Sequence, residues 1–196
     1  MRDQINALHS VPAECRLCGI IAQEIMGAQK GVLQKEYEPL LGDLAVILRR
    51  EFEDNLLAAV VYGSIARGTA RKESDIDLCL IFRELPRSMY ERTRYVLPVK
   101  EKLRQRESYR KLYGQGYYPE LSLLEFTADE IEDTPEVFLD MVDARTILLD
   151  DGTFRRKMGK LHRRMKELGT HKVVREDGSF YWILKRGAAL GEEITL

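Results

Sequence analysis

Apolar residues recur at helical spacing over residues 36 to 54, where Leu40, Leu41, Leu44, Val46, Ile47, Leu48 and Phe52 form a broad face. A face that wide predicts a helix lying against a sheet rather than standing free. Leu56 to Tyr62 is an unbroken apolar run of strand length, Gly63-Ser64 reads as a turn, and Ile65 to Ala70 as a short helix opening there. Asp75 to Phe82 is the second predicted strand. A charged, helix-favouring stretch follows from Ser88 to Leu112, with an interruption predicted at Pro98, and "YGQGYYPE" is then a loop. Leu121 to Phe126 is the third strand. Beyond it come capped helical turns, a short strand or helix end at Ile147 to Leu149, and a turn at Asp151-Gly152. A basic helix from Phe154 to Leu168 and a hairpin signal, "KVVREDGSFYWILK" with Asp177-Gly178 at its turn, complete the pattern. Upstream, residues 13 to 30 have apolar spacing compatible with a helix, weakened by Gly19 and Gly27.

At 196 residues the chain holds one ordinary core with appendages. The expected division is a helical extension over 1–54, a core over 55–150, and a helix with hairpin over 151–196. Composition is that of a soluble globular protein, 44% hydrophobic and 32% charged, and a formal net charge of -1 gives no global attraction to nucleic acid or membrane. The apolar runs are too short to cross a bilayer and the first residues carry charges where a signal peptide needs a hydrophobic stretch, so the cytoplasm is the expected location. Three cysteines cannot complete a disulfide framework.

The chemistry concentrates in "VVYGSIARGTARKESDIDLCLIF", residues 60 to 82. Strand residues two apart share a face, so Asp75 and Asp77 present their oxygens side by side. Two unit charges about 4 Å apart repel by roughly 4 kcal/mol at an effective dielectric near 20. A cation or a shared proton must offset that. Magnesium binds through a few carboxylates plus the phosphate oxygens of a substrate, so the pair predicts a phosphate partner. Gly63 allows phosphate close to the backbone, Ser64 adds a hydroxyl, and Arg67 reaches back one helical turn with a guanidinium.

The wording "GSIARGTARKESDIDLCLIF" resembles the signature of the DNA polymerase beta-like nucleotidyltransferases, and within them the small, minimal type. The motif covers about a tenth of the chain, with order, spacing and strand context matching together. The resemblance implies an α/β (α+β) fold with a mixed sheet flanked by helices and two magnesium ions. It also implies transfer of a nucleoside monophosphate from a triphosphate, ATP first among them, with release of pyrophosphate. By the same resemblance Asp75 and Asp77 hold metal, Gly63 and Ser64 hold the triphosphate, and Arg67 and Ser74 support phosphate. Relatives place a third acidic residue, usually Asp, on a later strand. Here Glu120 at the head of "ELSLLEF" takes that place, with Glu125 as the rival farther along.

Similar proteins modify small molecules, attach AMP to protein side chains or extend RNA, and the minimal type often pairs with a HEPN-domain toxin. The compact length disfavours the RNA-extending class and favours a protein or small-molecule acceptor. The alternative from another class is a non-catalytic module that binds nucleotide or a partner with the same fold. Elsewhere the residues have plainer readings. Cys15 and Cys18 have zinc-ligand spacing with His9 nearby, but no second pair follows, so they read as two cysteines one helical turn apart. Phe154, Met158, Leu161, Met165 and Leu168 should pack the basic helix on the core, leaving His162 on a solvated surface. Phe180, Tyr181 and Trp182 read as closing a core or an oligomer contact.

Overall fold

A computed structural model describes residues 34–189 and 192–196. The helix predicted over 13–30 and the Cys15–Cys18 pair with His9 lie outside them. Four strands form the main sheet: β1 (Leu56–Val61), β2 (Ile76–Phe82), β3 (Leu121–Thr127) and β4 (Thr146–Asp150), in the order β3-β2-β1-β4. β1 runs antiparallel to β2 and β4, and β2 parallel to β3. Helices cover both faces, which is why β1 and β2 are apolar at nearly every position rather than alternating.

Strand alternation sends Ala59, Val61, Ile76, Leu78, Leu80 and Phe82 into one core. The long helix α1 (Glu38–Phe52) fills that core with Leu40, Leu41, Leu44, Leu48 and Phe52, as its wide apolar face predicts. Ala58, Val60, Cys79 and Ile81 face the other way, into a second core. Cys79 is fully buried there, and burial pushes its thiol up to about 12.

The five-residue α2 (Gly63–Arg67) follows β1. It starts two residues earlier than the 65–70 expectation and stops sooner, because Gly68 adopts a left-handed φ of 72° and donates its N–H to the Ile65 carbonyl, while the Thr69 N–H returns to Ser64. The stretch predicted to break at Pro98 does not. α3 (Met89–Arg104) runs through the proline, and the break falls at Gln105-Arg106, before α4 (Glu107–Gly114). Val96, Val99 and Leu103 flank Pro98 and bury against α1, so packing across the proline outweighs the one hydrogen bond it removes.

On the second face lie α5 (Val137–Asp143) and α6 (Thr153–Leu168). Phe154, Met158, Leu161 and Met165 of α6 are buried. Asp150 at the end of β4 tethers the helix start by accepting from the N–H groups of Gly152, Phe154 and Arg155. A separate hairpin, β5 (His171–Val174) with β6 (Phe180–Ile183), turns through Asp177-Gly178 with Gly178 at φ 82°. No helix among the described residues is long and apolar enough to cross a membrane.

Candidate active site

The end of β1 and the start of β2 meet at one sheet end, where the Tyr62 N–H donates to the Asp77 carbonyl at 3.0 Å. That pairing sets the Gly63-Ser64 turn directly against the Asp77 side chain. Gly63 has φ 70°, and a Cβ there would collide with Oδ2 of Asp77. Only glycine fits, both for the backbone angle and for the room the carboxylate takes.

Asp77 is half-buried while Asp75 is exposed. Burial raises the Asp77 carboxyl above its ordinary value of 3.8, and the Asp75 charge and, more weakly, Asp140 raise it further. Arg67 and a hydrogen bond with the Ser122 side chain act against this and do not cancel it. The neighbouring Tyr62 phenol is likewise driven up, first by burial and then by the Asp77 charge. Arg67, exposed on α2, therefore stands close enough to act on Asp77. Ser74 is less free. Its hydroxyl accepts the Arg71 N–H at 2.9 Å and its own N–H donates to the Arg71 carbonyl, closing the turn that delivers Asp75.

Glu120 is placed differently from the two aspartates. β2 and β3 are parallel with Ile76 opposite Leu121 and Asp77 opposite Ser122, so the residue beside Asp77 on β3 is Ser122. Ile76 and Leu121 share the α1 core, which leaves Asp77 and Ser122 on the opposite face. Glu120 lies just before β3, and its carboxylate turns toward α3 and α4. There it accepts from Nη2 of Arg104 at 2.6 Å and from the Tyr109 hydroxyl at 2.8 Å. The Arg104 hydrogen bond holds the Glu120 carboxyl below its ordinary value of 4.5, with Tyr109 assisting and burial opposing. Glu125 pairs with Leu80, three positions from Asp77 along the strand. Among the described residues no three His, Cys, Asp or Glu side chains converge to hold a metal.

Three residues around Asp77 lie outside the motif that marks the aspartates: Ser122, Tyr62 and Asp140. Ser122 left a signal, since Leu121-Ser122-Leu123 repeats the apolar–polar–apolar pattern of Ile76-Asp77-Leu78 on the adjoining strand. Asp140 left none. It arrives on α5, whose Phe138 and Met141 pack in the core that Tyr62 and Cys79 line. Asp140 also borders a cleft of about 760 Å³ that runs between α5 and the chain from Trp182 to Leu184, with Glu136 and Leu139 along its wall.

The chain is 34% identical over 59 residues to a candidate protein adenylyltransferase of Methanocaldococcus jannaschii, a match covering 30% of this chain and 40% of the relative. The shared segment is thus well under half of the curated relative's length. Among solved structures, a toxin–antitoxin crystallised with AMP-PNP superposes with a TM-score of 0.39 at 15% identity, over 64% of this chain and 90% of the other. A variant of the MntA–HpeT toxin–antitoxin gives 0.39 at 16% identity, over 62% and 86%. A family model, the nucleotidyltransferase domain, matches residues 43–146. That span is more than half of the chain, runs from inside α1 to the first residue of β4, and takes in the sheet end where Gly63 meets Asp77: this chain belongs to the nucleotidyltransferase domain family.

Proposed function

We propose that the protein transfers a nucleoside monophosphate, AMP from ATP, to a hydroxyl on a protein or small-molecule acceptor. The observation that carries this is the contact between Asp77 and the Gly63-Ser64 turn, which puts a carboxylate and a glycine backbone able to face phosphate in one place. Asp75 and Asp77 suit magnesium: adjacent carboxylates, with Asp77 raised by burial and its neighbour, leave negative charge that a hard divalent ion offsets. Magnesium bound there would neutralise charge developing on the entering and leaving oxygens.

In this reading Ser64 and Arg67 hold the triphosphate and Gly63 keeps the backbone open to it. Ser74 shapes the turn before Asp75. The acceptor oxygen attacks the α-phosphorus, the bond from that phosphorus to the bridging oxygen breaks, pyrophosphate departs and the hydroxyl proton passes to solvent. A HEPN-type toxin is the partner that the sequence resemblance suggests, with this chain as its antitoxin. One observation favours a second reading, a nucleotide-binding module without turnover: Glu120, the expected third carboxylate, is engaged by Arg104 and Tyr109.

Lysate incubated with the protein, magnesium and ATP labelled at either the α- or the γ-phosphate separates the two. The transferase leaves α-label on an acceptor and γ-label in pyrophosphate, and Asp75→Asn or Asp77→Asn abolishes both signals while circular dichroism stays unchanged. Binding of all four triphosphates with no labelled product would instead establish the module.

A further inference from the structure

The family pattern asks β3 for a third acidic side chain, and the register answers with a different residue. Asp77 lies opposite Ser122 in the parallel β2–β3 ladder, and both face away from the α1 core that Ile76 and Leu121 share. Both are half-buried. Glu120 has its two carboxylate oxygens taken by groups on α3 and α4, Arg104 and Tyr109, on the side of the sheet that faces α1. Moving it to the aspartates would break both contacts and swing the side chain around the strand start. Glu125 is three residues too far along.

We infer that the third oxygen beside Asp75 and Asp77 is the neutral hydroxyl of Ser122, so that the cation site carries two negative charges instead of three, and that Glu120 is a strut between β3 and the helices. This rests on the reading of the aspartates as a cation site. A serine hydroxyl is a competent oxygen donor to magnesium, as in phosphate-binding loops where Ser or Thr completes the coordination. A site with fewer charges binds the ion more weakly and depends more on oxygens that come with the substrate, because affinity for hard cations follows the number of charged ligands.

The test is binding of Mn²⁺ alone to the full chain, followed by the paramagnetic signal of free ion and by calorimetry. Replacing Ser122→Asp should tighten Mn²⁺ binding by about tenfold, and Ser122→Ala should weaken it by roughly threefold or more. Glu120→Gln should leave it within about twofold of the parent. Thermal unfolding of each variant confirms the fold, and Ser122→Ala, the smaller change, keeps the test decisive if Ser122→Asp does not fold. Glu120→Gln weakening the ion while both Ser122 variants leave it unmoved overturns the inference and keeps the cation site. If Asp77→Asn also leaves Mn²⁺ affinity unchanged, or the parent takes up no Mn²⁺, the cation reading itself falls and this inference with it.

Discussion

The two faces of the sheet differ in what they bury. Toward α1, α3 and α4 the layer is almost wholly aliphatic and aromatic, from Leu40 and Leu44 through Leu78 and Leu80 to Phe82. Toward α5 and α6 the core is interleaved with polar groups. Lys157 is buried there, donating to the Glu132 carbonyl and the Thr134 hydroxyl, and burial holds its ammonium below its usual range. Arg145 lies over the Phe154 ring and donates to the Met141 carbonyl. Asp77, Tyr62 and Asp140 belong to this same side. A strand can carry a charge toward one face when its other face is pinned by a dry layer, and that division separates what holds the fold from the residues proposed to perform the chemistry.

The largest effect expected from breaking this division is on the dry side. Leu44 is fully buried in the α1 layer, and Leu44→Ala should cost about 2–5 kcal/mol, through lost burial and the cavity left behind. Urea unfolding measures the loss. Nucleotide binding per folded molecule should survive, and a variant that stays stable yet loses binding would show that the two faces are not separable.

Asp77→Asn should act in the opposite sense. Its carboxyl is raised above 3.8 because the ionised form is penalised by burial and by Asp75, so at neutral pH the native state carries a cost that a neutral amide removes. Without metal the variant should unfold later than the parent. Magnesium and ATP should then stabilise the parent and not the variant. A variant less stable than the parent in both conditions would make Asp77 a structural residue.

How much was legible from the sequence follows the same division. The dry layer announces itself by periodicity: the stripe of α1 and the apolar runs of β1 and β2 need only local spacing to be read. Gly63 and the aspartate pair were legible because the motif is contiguous. What local spacing does not reach is longer in range. Pro98 reads locally as a breaker, but α1 supplies the packing that keeps α3 continuous. Glu120 reads locally as the acid at a strand head, whereas the β2–β3 register decides which residue faces Asp77, and a parallel register depends on a crossover through two helices. Asp140 comes from more than sixty residues downstream of Asp77, with no local pattern to mark it.

The smallest effect belongs to Glu120, at the boundary between the faces. Its carboxyl is held below 4.5 chiefly by Arg104, whose guanidinium is correspondingly raised. A lowered carboxyl contributes stability that is present above its unfolded value and is lost as pH falls through the folded one. Both partners are substantially exposed, 54% for Arg104 and 42% for Glu120, so solvent screening keeps the contribution under about 1 kcal/mol. Glu120→Gln should therefore be slightly less stable than the parent at pH 7, with the gap closing as the pH is taken below about 4. Urea midpoints at the two pH values test this. A gap that stays constant across the range would mean the loss comes from packing, because a glutamine oxygen still accepts from the Tyr109 hydroxyl but no longer offers Arg104 a charge.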